Sequence, residues 1–176
     1  MDDSETQGSV EMEIEADEVA EPDFDNLVGI VTDGLIGAVG GLVGTAVMTA
    51  VLLVAATLGG FEFASFSDLA ELTGAGAVLP WNAAAVGYVI FLLGGMVTWP
   101  LLFASIGSYL PGEDFALKGL PYGFVLWTGF APAFYEGYTG AVLVVYLVMT
   151  LLGHLAYGFS LGSVFDYLSN RPTTLV

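Results

Sequence analysis

The sequence has no cysteine, a single histidine and only two basic residues, Lys118 and Arg171. Without cysteine the chain cannot form a disulfide, an iron–sulfur cluster or a cysteine zinc site, which removes several classes of enzyme. Without clustered lysine or arginine it has no surface that would bind nucleic-acid phosphates or anionic lipid head groups. We therefore expect no nucleic-acid partner.

Acidic residues, by contrast, are abundant and concentrated at one end. The formal net charge is −17, and more than half of the 19 acidic residues lie within residues 1–25. This stretch has few aromatic residues and no helical apolar period, so we predict a disordered acidic tail. The near absence of lysine beside this acidic excess is typical of proteins adapted to high salt, where screening makes the charge tolerable. An ordinary acidic tail is the alternative.

The rest of the chain is apolar enough to lie in a membrane. Hydrophobic residues make up 56% of the sequence and charged residues 12%. Uncharged runs exceed the roughly 20 residues that a helix needs to cross about 30 Å of hydrocarbon. We predict an all-α fold, a four-transmembrane-helix bundle within residues 26–170, followed by a short C-terminal tail at 171–176. The predicted helices lie near residues 35–58, 84–108, 117–134 and 139–164, and the third is short enough that partial re-entrance is an alternative.

The orientation depends on the two basic residues. Lys118 lies between the second and third predicted helices and Arg171 follows the fourth, so four crossings place both on the side of the amino terminus. The positive-inside rule then predicts a multi-pass cell-membrane protein with both termini in the cytoplasm.

Aromatic residues cluster at the predicted helix ends, as in an interfacial belt. The loop at residues 61–82 carries several of them and a short helical pattern, which predicts a connector on the membrane surface. A partner-binding lid is the alternative. The belt residues are Phe61, Phe63, Phe66, Trp81, Tyr109, Tyr135, Tyr138 and Tyr167.

Glycines four residues apart recur inside three of the predicted helices. Small residues at this spacing give a helix a flat face on which another backbone can pack closely. We expect these faces to pack within the chain, with packing onto a partner subunit as the alternative. They are formed by Gly37, Gly40, Gly41, Gly44, Gly119, Gly123, Gly158 and Gly162.

The single histidine is the strongest candidate for a binding residue. His154 shares one helix face with Tyr146, Thr150 and Tyr157, because these residues are three or four positions apart. In a membrane helix such a histidine can bind a cofactor by ligating haem, bind a quinone carbonyl or relay a proton. A hydrogen bond to a neighbouring helix is the purely structural alternative. Two axial haem ligands would require Met48 or Met96 on the opposite side.

A proline interrupts the second predicted helix. Pro100 removes a backbone donor, which predicts a kink and a free carbonyl at Met96. We expect the kink to improve packing, and a gating role is the alternative.

Three stretches carry a resemblance to a known family: GAVGGLVGTAVMTAVLLVA, GLPYGFVLW and GHLAYGFSLGSVFDYL. Over about residues 30–168 the chain resembles an uncharacterised family of small four-helix integral membrane proteins, a domain of unknown function common in haloarchaea. The resemblance implies an association with respiratory oxidases. It therefore suggests a non-catalytic accessory or assembly subunit of a terminal oxidase complex, in which His154 is structural or lines a quinone or proton route.

Two other classes of function remain open on the sequence. A small transporter or channel, acting as a homo-oligomer, predicts a polar path lined by Thr98, Tyr146, Thr150 and His154. A membrane enzyme predicts clustered polar groups at one interface, and the sequence has no nucleophile with its base, no phosphate-binding motif and no metal-ligand set. We expect no enzymatic activity and no required cofactor. The expected partners are membrane lipid and either another membrane subunit or further copies of the chain.

Overall fold

The computed structural model describes residues 24–169, which form helices and the loops between them, with no strand among them. The predicted acidic tail, apart from its last two residues, and the predicted C-terminal tail lie outside the described residues. The first helix begins at Phe24, about three turns before its predicted start. The helices are α1 (Phe24–Thr57), α2 (Phe66–Leu72), α3 (Ala75–Val78), α4 (Ala83–Leu93), α5 (Trp99–Ile106), α6 (Phe115–Ala133) and α7 (Gly140–Ser169).

Three helical stretches within the described part of the chain are long and apolar enough to cross a membrane. They are Gly34–Thr57, Ala83–Tyr109 and Gly140–Leu168. The sequence predicted a fourth span, which corresponds to α6, a helix of 19 residues that begins next to Asp114 and contains Lys118. An all-α protein with several apolar helices of this length has the character of a multi-pass membrane protein.

A π-helical turn at Gly94–Thr98 joins α4 to α5 within one continuous helical stretch. Its register is five residues, because the Trp99 amide donates to the Gly94 carbonyl. In this register the amide that should reach the Gly95 carbonyl is that of Pro100, which has no N–H. The sequence predicted a free carbonyl at Met96, as in an α-helix, whereas the π turn leaves the Gly95 carbonyl without a donor from its own helix.

The four long helical units form an open row rather than a closed ring. Helix α7 packs against both α1 and α6, and α1 also packs against the π turn and α5. The order across the row is therefore α6, α7, α1 and then the α4–α5 unit. Three sides of the bundle have close helix packing. On the fourth side α6 and α5 meet at one end, where the Tyr122 and Phe103 rings are 5.0 Å apart, and the rest is open.

The predicted glycines on α6 and α7 lie at a contact between these two helices. A Cβ at Gly119 would overlap the Gly158 carbonyl oxygen, and a Cβ at Gly123 would overlap that of His154. Gly162 faces the Phe115 carbonyl in the same way. The two backbones thus touch along the first half of α6, which only glycine permits.

The glycines of α1 face two different neighbours. Gly40 lies against Leu161 of α7, and a Cβ at Gly44 would be 2.8 Å from the Tyr157 carbonyl oxygen. Gly37 and Gly41 face Pro100 instead, with the proline Cβ 3.2 Å from a Cβ built at Gly37. These glycine faces are therefore occupied by helices of the same chain.

A carboxylate joins the first turn of α6 to the last turns of α7. Asp166 accepts hydrogen bonds from the amides of Phe115 at 3.0 Å and Ala116 at 2.9 Å. Asp114 caps the same helix by accepting from the Leu117 amide at 2.7 Å. Negative charge at a helix amino terminus is favourable, so this contact holds the two helices together at one end.

The loop after α1 packs into the bundle, which corrects the interfacial prediction for part of it. Phe61 and Phe66 are buried, and the Phe66 ring lies 5.0 Å from the ring of Phe91 and 5.3 Å from that of Phe134. Helix α2 packs on α4, where Gly87 allows a close approach of the Phe66 carbonyl. Four other residues of the predicted belt are exposed: Trp81, Tyr109, Tyr135 and Tyr167.

Candidate functional site

A cavity of about 460 Å³ occupies the open side of the bundle. Its back wall comes from the neighbouring helices α1 and α7, which contribute Thr45, Met48, His154 and Tyr157. Its side walls are α6 and the unit formed by α4, the π turn and α5. Volumes of 300 to 1,000 Å³ are usual for sites that hold a small organic molecule.

Aromatic rings form much of both side walls. Phe91 and Trp99 line the cavity on one side and Phe130 and Phe134 line it on the other, with Phe130 and Phe134 stacked at 4.2 Å. The walls approach where the Phe91 and Phe130 rings are 6.3 Å apart. The two sides are also joined where the Tyr122 hydroxyl of α6 donates to the Trp99 carbonyl at 2.6 Å.

The described lining of the cavity contains no charged residue. Its side chains with polar atoms are those of Thr45, Thr98, Trp99, His154 and Tyr157. The Thr45 hydroxyl is bonded to the Gly41 carbonyl at 2.7 Å. A charged ligand would lose its hydration here without gaining an opposite charge, so the cavity suits an uncharged molecule.

His154 lies on the back wall with 4% of its surface exposed. Its Nδ1 is 2.8 Å from the Thr150 carbonyl oxygen, and its ring is 4.7 Å from the Phe130 ring. Among the described residues no hydrogen-bond partner is found for Nε2. The histidine is thus fixed through one nitrogen, which leaves the other for a molecule in the cavity.

The other three members of the predicted stripe are buried and bonded within the bundle. The Tyr146 hydroxyl donates to the Ala131 carbonyl at 2.7 Å. The Thr150 hydroxyl donates to the Tyr146 carbonyl at 2.6 Å and accepts from the Trp127 indole at 3.0 Å. Neither Tyr146 nor Thr150 lines the cavity. Of the four residues predicted for a transport path, the structure brings Thr98 and His154 to the cavity.

Tyr157 links the histidine helix to the π turn. Its hydroxyl donates to the Gly95 carbonyl at 2.8 Å, which is the carbonyl that the π register and Pro100 leave without a donor. Inside a membrane an unpaired carbonyl is costly because no water reaches it. The tyrosine therefore stabilises the irregular turn, whose Gly94 and Gly95 form part of the cavity wall.

The cavity offers little for haem or another metal. Within the described residues no three side chains of His, Cys, Asp and Glu come together as a metal site. Met48 lies beside the histidine helix, since a Cβ at Gly153 would be 3.4 Å from its Cγ. It therefore shares the back wall with His154 and is not on the opposite side, as a second axial ligand would be. Met96 does not line the cavity.

A model of a family of unknown function, DUF6789, matches residues 31–176. The chain belongs to the DUF6789 family. Membership confirms the expectation of an uncharacterised family, and every residue that lines the cavity falls within the matched DUF6789 region. No curated protein and no solved structure matches the chain.

Sequence reasoning found His154 and missed the walls around it. Phe91, Trp99, Phe130 and Phe134 read as ordinary apolar residues, because nothing in the sequence shows which helices are neighbours. Gly129 also lines the cavity, and a Cβ there would meet no atom within 4 Å. Pro100 in the second helix was the one available signal, because it indicates an irregular turn. Irregular turns of the π type often lie at functional sites.

Proposed function

We propose that this DUF6789 protein is a non-catalytic membrane protein that holds an uncharged, membrane-dissolved molecule in the cavity beside His154. We further propose that it acts as an accessory or assembly subunit of a larger complex, a respiratory terminal oxidase. The observation that supports the binding role is a buried histidine with one unpartnered nitrogen on the wall of an apolar cavity.

Four membrane crossings form part of the proposal. Helix α6, at about 1.5 Å per residue, is about 28 Å long, close to the thickness of the hydrocarbon layer. It runs antiparallel to α7 from the Phe115–Asp166 contact at one end to the Ala131–Tyr146 contact at the other. Since α7 is itself long enough to span, α6 crosses beside it. In the proposed topology Lys118 and both termini lie on one side of the membrane, which we assign to the cytoplasm.

The outer faces of the bundle are suited to lipid or to another membrane subunit. Large apolar residues are exposed along α1 and the α4–α5 unit, among them Leu35, Leu42, Val89, Leu93 and Leu101. The glycine faces are occupied within the chain, so a partner would meet these branched side chains instead. The identity of the partner as an oxidase rests on the family resemblance of the sequence.

One purification tests both parts of the proposal. The full chain is isolated from native membranes in gentle detergent and molar salt, which suits its acidic composition. Co-purifying proteins are identified by mass spectrometry, the optical spectrum is recorded, and the organic extract is analysed for bound small molecules. We expect oxidase subunits in stoichiometric amount, a haem spectrum, and about one uncharged amphiphile for each copy of the chain.

A matched pair of variants shows whether the molecule occupies the cavity. Gly129→Phe adds a ring at a position that borders the cavity and has no neighbouring atom within 4 Å of the new Cβ. Gly34→Phe is the control, because it adds the same ring to α1 at a position that also meets no atom within 4 Å. We expect the amphiphile to be lost only from Gly129→Phe. Its retention in both variants would contradict the binding site. A colourless particle that contains only this chain would contradict the oxidase partner and favour transport by a homo-oligomer.

A further inference from the structure

The hydrogen bond of His154 determines what kind of group the cavity can bind. A backbone carbonyl only accepts hydrogen bonds, so Nδ1, at 2.8 Å from the Thr150 carbonyl, must carry the proton. A charged imidazolium in the middle of a membrane is costly because no water solvates it, and the ring is therefore neutral. In this tautomer Nε2 has a lone pair and no hydrogen, so it can accept a hydrogen bond and cannot donate one.

The other hydroxyls on the back wall do not change this requirement. Thr45 donates to the Gly41 carbonyl and Tyr157 donates to the Gly95 carbonyl, so both of their protons are used. A quinone carbonyl, which needs a donor, would find none at His154. The group that pairs with Nε2 must bring its own proton, as a hydroxyl does.

The walls and the depth of the site restrict the ligand further. Phe91 and Trp99 line one side of the cavity and Phe130 and Phe134 line the other, so a flat ring in the cavity would meet aromatic surfaces. His154 is the central residue of the span Gly140–Leu168, about 21 Å from either end. A head group at this depth must be uncharged, and an apolar tail on it would dissolve in the surrounding hydrocarbon.

We propose that the cavity binds a hydroquinone on an apolar tail, with one ring hydroxyl donating to Nε2 of His154, and that it prefers this reduced form to the oxidised quinone. This inference rests on the binding role proposed above and adds the class and redox state of the ligand. No chemical step is implied, because binding of the hydroquinone requires no change of bond.

Three probes with the same tail test the proposal: decylhydroquinone, its oxidised quinone and its dimethyl ether. The ether keeps the ring and has no hydroxyl hydrogen. Each is titrated without oxygen into the full-length protein in lipid nanodiscs, with empty nanodiscs as the blank, and heat of binding is measured. Because Nε2 of His154 pairs only with a donor, we expect the hydroquinone to bind about tenfold more tightly than either the quinone or the dimethyl ether.

Variants distinguish the hydroquinone proposal from the proposal that the cavity holds an uncharged molecule. In His154→Phe the three probes should bind equally, while Gly129→Phe should lose all three and Gly34→Phe should behave as wild type. Equal affinity of the three probes for the wild-type protein would overturn the hydroquinone proposal, although loss of binding in Gly129→Phe would still support the cavity. If no probe binds the wild-type protein, the hydroquinone proposal is wrong whatever the purified extract contains. The wild-type comparison remains decisive even if His154→Phe fails to fold.

Discussion

The packed sides of this bundle and its open side are built from different residues. On the α6–α7 side Gly119 and Gly123 bring two backbones into contact. On the open side Phe91 and Phe130 keep α4 and α6 apart, with ring centres 6.3 Å from each other. In lipid, helices gain little from burying apolar side chains. Close packing of their backbones is therefore a main source of attraction between them. On the open side large rings meet instead of backbones, and a space remains beside them.

Glycine has different roles on the two faces of α6. Gly123 and Gly129 are both in α6, six residues apart, and the first is buried against α7 while the second borders the cavity. A side chain added at these two positions should therefore have very different effects, and the following variants exploit this difference.

We expect the largest effect on the α6–α7 side. In Gly119→Leu the new side chain would overlap the Gly158 carbonyl, and because a backbone cannot move aside as a flexible side chain can, the free energy of unfolding should fall by about 3 kcal/mol. Unfolding of the purified protein in detergent measures this, with Gly34→Leu as the control. Equal stability of the two variants would mean that these helices do not pack as described.

An intermediate effect is expected where the back wall meets the π turn. Tyr157→Phe removes the donor to the Gly95 carbonyl and should cost about 1 kcal/mol of stability. In a Pro100→Ala background the cost should shrink, because alanine supplies an amide that the helix can use. The two single variants and the double variant form a thermodynamic cycle, with Tyr109→Phe as an exposed control. Strict additivity would contradict the link between the two residues.

The smallest effect on stability is expected at the open side. Gly129→Phe should change the free energy of unfolding by about 0.5 kcal/mol or less, because a Cβ there meets no neighbouring atom. Gly123→Phe, on the same helix, would press on the His154 carbonyl and is the matched destabilised variant. Similar losses in both would indicate that α6 is packed on both faces and that the cavity is absent.

The all-helical character and the long apolar helices could be predicted from the sequence. Length and hydrophobicity alone decide whether a run such as residues 139–164 can cross a membrane, whichever helices lie beside it. The common face of Tyr146, Thr150 and His154 also follows from spacing within one helix. Both inferences use information that is local in the chain.

Features that depend on pairs of helices could not be predicted in this way. Phe66 sits in a loop that looks interfacial, yet it is buried because α2 folds back on Gly87 of α4. The cavity exists because α6 and α4 are not neighbours in the row, which no local pattern encodes. The sequence predicted a kink where the structure has a π turn. Pro100 shows only that one backbone donor is lost, and it does not specify how the backbone adapts.

The π turn also sets the rotational phase of everything that follows it in the second long helix. Such a turn contains one residue more than an α-helical turn, and one residue corresponds to a rotation of about 100°. Pro100 and Phe103 are buried in this phase, facing Gly37 and Phe165. Deleting a single residue from Gly94–Thr98 would turn both away from their neighbours. The number of residues in this short stretch is therefore as important to the bundle as their identity.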